Sequence, residues 1–160
     1  MAKTQAAVGE AIAGAMVAPQ LVSQIEDAPA RGILPNISLH LAGEAQLFHL
    51  DAQPIEKIND LLSRQYLYGT NATFVKWTAK KGAVVPLTHH VNEQITWITE
   101  GLAEVYSQER KYIMKAGDIM IIPPNVPHEF RFLEDTIDID IFAPGRQDWI
   151  DGTANYLSRK

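Results

Sequence analysis

The stretch GAVVPLTHHVNEQITWITEG, from Gly82 to Gly101, decides the fold and the candidate site of this 160-residue chain. It places two adjacent histidines and a Glu-Gln pair between two glycines. A second stretch, GDIMIIPPNVPHEF from Gly117 to Phe130, adds one more histidine after a proline-rich turn. Histidine is the commonest side-chain ligand of metals. The two stretches therefore predict a metal site; the alternative is that the adjacent histidines lie solvated or hydrogen-bonded at a strand end.

Short strand-like segments surround these stretches. From Thr73 to Phe142 the chain runs through TFVKWT, AVVPL, QITWIT, AEVYS, KYIMK, DIMIIP, HEFRFL and TIDIDIF, separated by Gly, Pro or charged turns. Because no helical periodicity intervenes, this pattern predicts an all-β barrel or sandwich. The sequence KAGD, residues 115–118, predicts a hairpin between its flanking strands. Trp77 and Trp97 are predicted to lie in the core.

The spacing of both stretches resembles the two motifs of the cupin superfamily. The first motif reads G-x5-H-x-H-x3/4-E-x6-G, and this chain aligns with it at Gly82, Thr88, His90, Gln94 and Gly101. The second reads G-x5-P-x-G-x2-H-x3-N, and this chain aligns with it at Gly117, Pro123, Asn125, His128 and Phe132. The resemblance spans roughly residues 70 to 145 and implies a jelly-roll β-barrel.

Four residues depart from these motifs. Thr88 replaces the first metal-binding histidine, and Gln94 replaces the metal-binding glutamate. Asn125 replaces a turn glycine, a mild change because asparagine tolerates the left-handed region. Phe132 replaces the closing asparagine. The first two departures bear on metal binding.

The resemblance also divides the chain. Residues 1–35 are predicted to form an Ala-rich extension that is helical or loosely ordered, residues 36–150 the barrel, and residues 151–160 a tail. The apolar run from Ile37 to Leu41 is a candidate leading strand that pairs across a dimer, so a homodimer is expected.

Strand parity and motif spacing together select the metal ligands. Alternate residues of a strand point to the same face, so Thr88 and His90 share a face and His89 points away. Gln94 rejoins the face of His90, and with His128 these residues form the predicted ligand set. His89 joins them if a β-bulge near Thr88 turns it inward. A register slip by one residue is the other route, and it would bring Glu93 inward as well. The expected cofactor is one divalent ion, with Zn, Ni, Fe and Mn all open.

The segment TIDIDIF, residues 136–142, carries the candidate proton-transfer group. Its aspartates share a face with Phe142, and that face lies either in solvent or toward the barrel interior. Asp140, Phe142, Pro144 and Arg146 read D-x-F-x-P-x-R, which resembles the end of the cupins that act on unsaturated uronates in pectin and alginate breakdown. The resemblance implies that Asp140 is a general acid or base, Arg146 a clamp for a substrate carboxylate, and Phe142 a pocket wall.

Composition excludes several functions. A net charge of −5 argues against nucleic acid as a partner. The absence of cysteine excludes disulfides and thiol catalysis. No apolar run approaches the ~18 residues of a membrane helix, so no membrane partner is expected. The apolar run AIAGAMVA follows Glu10, and only one Lys precedes it, so the Ala-rich start is interpreted as an extension rather than a signal peptide, and a cytoplasmic location is expected.

These observations predict a metal-dependent enzyme that acts on a small oxygen-rich anion. The substrate would be a uronate or hydroxyketo acid, and the reaction an isomerisation, tautomerisation or ring opening assisted by a Lewis acid. One alternative is a cupin dioxygenase that uses iron or nickel. The other is a non-catalytic small-molecule-binding module, which the replacement at Thr88 favours.

Overall fold

The computed structural model describes residues 45–154, which consist mainly of ten β-strands. A 3-10 turn at Leu50–Ala52 precedes the strands, and the helix α1, Gln147–Ile150, follows them. The strands are β1 (Glu56–Lys57), β2 (Leu62–Tyr68), β3 (Thr73–Ala79), β4 (Val84–Thr88), β5 (Glu93–Glu100), β6 (Leu102–Ser107), β7 (Arg110–Lys115), β8 (Ile119–Ile122), β9 (His128–Phe132) and β10 (Thr136–Ala143). The predicted extension, residues 1–35, residues 36–44 of the predicted barrel with the candidate leading strand from Ile37 to Leu41, and residues 155–160 of the predicted tail lie outside the described residues.

The strands form two antiparallel sheets. One has the order β1-β2-β3-β10-β5-β8, and the other has the order β4-β9-β6-β7. The predicted all-β jelly roll is therefore confirmed. Both sheets contribute to the core, because alternate side chains of β3, β5, β6 and β9 are buried. Val75 and Ile98 of the first sheet and Val105 and Phe132 of the second are almost completely inaccessible.

Three glycines lie where the chain passes from one sheet to the other. Gly82 joins β3 to β4, Gly101 joins β5 to β6, and Gly117 joins β7 to β8. Their φ angles are +88°, +87° and +95°, in the region that glycine adopts at no steric cost. The spacing of the motif glycines therefore sets the positions at which the barrel turns its corners.

The hairpin predicted at KAGD is wrong. The backbone N–H of Asp118 donates to the carbonyl of Lys115 at 2.9 Å, so the turn itself exists. However, β7 pairs with β6 and β8 pairs with β5, in different sheets. A tight turn between two strand-like segments is compatible with a hairpin or with a corner between layers, and only the pairing partners distinguish them.

Strand β10 directs both aspartates inward. Asp138 and Asp140 are 2% and 4% exposed and share the inner face with Phe142. The isoleucines of this strand take the outer face, where Ile141 is 38% exposed. Of the two alternatives left open by the alternating sequence, the interior one holds. The polar face of this strand is the buried face, the reverse of the usual sheet pattern.

Trp77 is buried, as predicted, whereas the core position predicted for Trp97 is wrong. Trp97 is 46% exposed on the outer face of β5, because the inner face of that strand carries Gln94, Thr96 and Ile98. The described part of the chain contains no helix with the length and apolar character needed to traverse a lipid bilayer.

Candidate metal centre

A small cavity lies between the two sheets and collects most of the predicted site residues. Its volume is about 20 Å³, which is enough for one water molecule or one ion. Strands β5 and β10 line it from one side, and β4 and β9 line it from the other. The cavity-lining residues include Thr88, His90, Gln94, His128, Asp138, Asp140, Phe142 and Arg146.

His90 follows β4, and its ring is held at both nitrogens. Nδ1 lies 3.0 Å from the backbone carbonyl oxygen of Asn92, and Nε2 lies 3.1 Å from Oε1 of Gln94. Both oxygens can only accept, and a neutral imidazole has a single N–H, so one of the two contacts places lone pairs on both atoms. When the hydrogen is on Nδ1, that contact is the one between Nε2 and Oε1.

The amide of Gln94 cannot relieve this conflict by turning over. Its Nε2 donates to Oγ1 of Thr96 at 2.8 Å and to Oδ1 of Asp140 at 2.9 Å. A flipped amide would direct its oxygen at the carboxylate instead. The carboxylate of Asp140 therefore fixes Oε1 toward His90.

Protonation of His90 is also disfavoured. Burial, together with the positive charge of Arg146 and the electrostatic effect of the nearby His128 ring, lowers the pKa of His90 to about 4. A bound cation would accept both lone pairs at the 3.1 Å separation of His90 Nε2 and Gln94 Oε1. Two ligand atoms that each lie about 2.1 Å from one ion, at right angles to each other, are about 3 Å apart. The donor atoms of His90 and Gln94 thus fit a bound metal ion.

His128 completes this donor set at the start of β9. Its Nδ1 lies 2.9 Å from the carbonyl oxygen of Val126, so Nδ1 carries the hydrogen and Nε2 keeps a lone pair. Burial lowers the pKa of His128, and Arg146 adds to the effect. The ring centroids of His90 and His128 are 5.2 Å apart. Two imidazoles and one amide oxygen, all neutral, therefore face one small space.

The structure separates the adjacent histidines. Thr88 faces the cavity and pairs with His128 across β4 and β9, whereas His89 is exposed and lines an outer pocket. The pairing does become irregular between Val85 and Thr88, where a bulge was expected, but this does not bring His89 to the cavity. The register slip that would turn Glu93 inward is wrong, since Gln94 is the buried residue of the pair.

Because Thr88 faces the cavity where the motif has a histidine, the cavity has one histidine donor fewer than the motif would supply. Within residues 45–154 no group of three or more His, Cys, Asp or Glu side chains is arranged to hold a metal. A metal at this centre would therefore depend on the amide oxygen of Gln94.

Asp140 lies behind Gln94, and both of its carboxylate oxygens accept hydrogen bonds. Oδ1 accepts from Thr96 at 2.5 Å and from Gln94, and Oδ2 accepts from Nε1 of Trp77 at 2.8 Å. Burial raises the pKa of Asp140 to about 6, although these three hydrogen bonds and the charge of Arg146 each act to lower it. Both protonation states are therefore accessible near neutral pH.

Asp138 is the second buried carboxyl of this strand. Burial and the charge of Asp140 raise the pKa of Asp138 well above its usual range. Its Oδ1 has no hydrogen-bond partner, which fits a neutral carboxylic acid better than a carboxylate. Its parity with Asp140 was the signal in the sequence that could have identified it.

Arg146 lies at the rim of the cavity, just before α1. Its Nε and Nη2 donate to the two carboxylate oxygens of Asp148 at 2.8 and 2.7 Å. The guanidinium lies 4.9 Å from the ring centre of Phe142 and 4.4 Å from that of Trp149. Asp140, Phe142 and Arg146 thus line the same cavity.

A larger pocket opens beside the inner cavity. It has a volume of about 520 Å³, within the range typical of small-molecule sites, and is called the mouth pocket here. Its wall includes Tyr68, His89, Asn92 and Asp148. His90 lines both the mouth pocket and the inner cavity, so a ligand in the mouth pocket reaches the centre at His90.

Known proteins are similar to this chain in sequence and in fold. Residues 75–142 match the family described as Cupin domain. The chain is 30% identical over 103 residues to the pectin degradation protein KdgF of Dickeya dadantii (strain 3937), a match that covers 62% of this chain and 94% of that protein.

The chain belongs to the cupin superfamily.

Solved cupin structures have the same fold. KdgF from Halomonas sp. superposes on this cupin with a TM-score of 0.61 and 25% identity, over 65% of this chain and 99% of that one. An RmlC-like cupin from Shewanella frigidimarina NCIMB 400 superposes with a TM-score of 0.62 and 29% identity, over 66% and 96% of the two chains.

Several supporting residues were missed by the sequence reasoning. Thr96 shares the parity of Gln94, which was an available signal. Asn92 donates to the carbonyl oxygens of Pro144 at 2.5 Å and Gly145 at 3.1 Å, and so ties the His90 loop to the segment that carries Arg146. No local pattern predicts this contact, because 52 residues separate Asn92 from Pro144.

Proposed function

We propose that this cupin is a metal-dependent enzyme that acts on a small oxygen-rich anion, either a uronate or a hydroxyketo acid, by isomerisation, tautomerisation or ring opening. The observation that carries the proposal is the contact between His90 Nε2 and Gln94 Oε1, which brings two lone pairs face to face when the ring hydrogen is on Nδ1, with Gln94 held in place by Asp140. The match to a protein described as a pectin degradation protein supports the substrate class.

His90, Gln94 and His128 would hold one divalent ion, with Zn, Ni, Fe and Mn as candidates. The ion would act as a Lewis acid toward a carbonyl or hydroxyl oxygen of the substrate. Because all three side chains are neutral, none of the ion's charge would be offset by these ligands.

Asp140 supplies the proton-transfer group in this proposal. Oδ1 takes two hydrogen bonds, whereas Oδ2 takes one from Trp77 and keeps a lone pair for a proton. A carboxyl group whose pKa is raised to about 6 can take up and release a proton near neutral pH.

Arg146 and Phe142 position the substrate. The buried guanidinium is a planar fork suited to a carboxylate. Phe142 is 2% exposed and packs against both His90 and Arg146, so it forms a wall between the metal centre and the clamp. The mouth pocket provides the volume for a sugar-sized ligand that the inner cavity lacks.

The test is an ultraviolet assay with an unsaturated uronate, whose conjugated double bond is lost on conversion. Full-length protein is stripped with chelator, reloaded separately with each candidate ion, and assayed. We expect conversion only after reloading. His90→Ala should lose both metal and activity, whereas the matched variant His89→Ala, one residue away, should retain the metal. Equal metal content in these two variants would rule out the proposed centre.

A non-catalytic binding module is the second candidate, and Thr88 favours it. A hydroxyl faces the cavity where the motif has a histidine, so one strong ligand is lost. Elemental analysis of the reloaded protein separates the candidates. An enzyme should retain about one ion per chain, and a module should retain far less than one with no uronate conversion.

We also propose a homodimer formed through the outer face of the six-stranded sheet. Trp97, Ile119, Ile121 and Ile141 are 46%, 63%, 62% and 38% exposed on this face. They are contiguous, because Trp97 pairs with Ile119 and Ile95 pairs with both Ile121 and Ile141. The strand β8 is an edge of the sheet, so two copies related by a twofold axis can pack the same patch together.

A further inference from the structure

The guanidinium of Arg146 already binds a carboxylate, and that carboxylate belongs to the chain itself. Nε and Nη2 donate two parallel hydrogen bonds, of 2.8 and 2.7 Å, to Oδ1 and Oδ2 of Asp148. This is the bidentate geometry in which arginine binds the carboxylate of a ligand. Asp148 therefore lies where a ligand carboxylate on this edge of Arg146 would lie.

The two partners differ in how firmly they are held. Arg146 is 2% exposed, its backbone N–H donates to Oγ1 of Thr73 at 2.9 Å, and its guanidinium packs on Phe142 and Trp149. The side chain of Asp148 is 35% exposed and lies on the single-turn helix α1. Asp148 is therefore the partner that can move.

The ion pair stands at the junction of the two cavities. Arg146 lines the inner cavity, Asp148 lines the mouth pocket, and His90 lines both. Asp148 and His90 both line the mouth pocket, so a ligand carboxylate that approaches Arg146 from the mouth pocket would come close to Asp148. The negative charge of Asp148 would repel that carboxylate as long as the ion pair is intact.

We propose that Asp148 is an internal surrogate carboxylate, which an anionic ligand displaces from Arg146 when it binds. The proposal rests on the proposed function, since it takes Arg146 as the anion clamp. Asp148 then lowers the affinity for carboxylate ligands and leaves neutral sugars unaffected. It makes anion binding an exchange of one carboxylate for another at the same guanidinium.

The experiment measures binding of a non-reacting carboxylate sugar, galacturonate, to the full-length protein by titration calorimetry. Galactose serves as the neutral probe. The variants are Asp148→Asn, which keeps the side-chain size but removes the charge, and Asp151→Asn, which makes the same charge change at an exposed position one residue beyond α1. Thermal unfolding of each variant verifies the fold.

We expect Asp148→Asn to bind galacturonate roughly ten- to a hundredfold more tightly, as expected for a charged hydrogen-bonding competitor that is removed. Galactose binding should not change, and Asp151→Asn should bind galacturonate like the unmodified protein. Binding by Asp148→Asn alone, with none detected for the unmodified protein, also supports the proposal.

Weaker or unchanged galacturonate binding by Asp148→Asn would overturn the inference, and weaker binding would make Asp148 a residue that orients Arg146. Arg146→Gln separates this failure from failure of the proposed function. If Arg146→Gln binds galacturonate more weakly than the unmodified protein does, Arg146 is still the carboxylate clamp and only the proposed role of Asp148 is wrong. If no variant binds galacturonate, both the surrogate and the clamp fail.

Discussion

The tautomer of His90 determines the chemistry of the centre at the scale of single residues. Asn92 presents a carbonyl oxygen to Nδ1, and Gln94 presents an amide oxygen to Nε2. Neither oxygen can donate, and Asp140 holds the Gln94 amide, so a neutral His90 keeps a lone pair at one of the two contacts. With the hydrogen on Nδ1, that lone pair is on Nε2 and is available to an ion, in the manner of the outer-shell contacts that orient metal ligands.

His90 should titrate near pH 4 in the metal-free protein. Its folded-state pKa lies below the ordinary histidine value, so between about pH 6.5 and pH 4 the unfolded chain binds a proton at His90 that the folded protein does not bind. The contribution of His90 to stability is therefore fully present above pH 6.5 and is lost as the pH falls toward 4. Ring nitrogen NMR shifts measure this titration, and a midpoint at 6 or above would contradict the lone-pair argument.

Asp140→Asn should lower kcat for uronate conversion by about 10²- to 10⁴-fold, the usual contribution of a general acid or base. Asp138→Asn is the matched control. The pKa of Asp138 is raised well above its usual range, so an amide there preserves its neutral state and should cost much less activity. Metal analysis accompanies the assay, because Asp140 also orients Gln94. Activity of Asp140→Asn within tenfold of the unmodified protein would remove Asp140 from the mechanism.

Strand β10 shows how far sequence periodicity carries at the scale of the element. The alternation of TIDIDIF predicts which side chains share a face, because successive side chains of a strand point to opposite faces of the sheet. It does not predict which face is buried. Isoleucine outside and aspartate inside is possible here because Thr96, Gln94 and Trp77 donate to Asp140 from neighbouring strands.

Gly101→Ala should destabilise the fold more than Gly82→Ala. Both positions have φ near +88°, so each alanine costs about 1–2 kcal/mol in the left-handed region. At Gly101 a Cβ would also meet the Asp135 carbonyl, and would lie 2.5 Å from Thr136 Oγ1 and 2.8 Å from Thr136 Cα. At Gly82 it would meet nothing within 4 Å.

Overpacking should add a further ~1–3 kcal/mol to the loss at Gly101. Urea unfolding of the two variants measures the difference in free energy of unfolding. Equal losses would mean that the corner at Gly101 opens without cost and that its close packing is not required.

At the scale of the whole molecule, the outer face of the six-stranded sheet is the feature to test. Ile121→Lys should convert the proposed dimer to a monomer, because a charge would be buried in an apolar interface. Ile113→Lys is the control, since Ile113 is 53% exposed on β7 of the other sheet and should leave the dimer intact. Size-exclusion chromatography with light scattering gives the mass. A monomer before substitution, or a dimer unaffected by Ile121→Lys, would contradict the proposed interface.

The sequence by itself determined the barrel, the positions of the motif glycines at its turns, and the shared face of Thr88, His90 and Gln94. These features depend on strand parity and on motif spacing, which are local properties of the chain. The tertiary structure decided that no bulge or slip brings His89 to the cavity, that both aspartates are interior, that KAGD joins two sheets, and that Asp148 holds Arg146. Each of these depends on which strand or loop lies opposite, and residues far apart in the chain supply those neighbours.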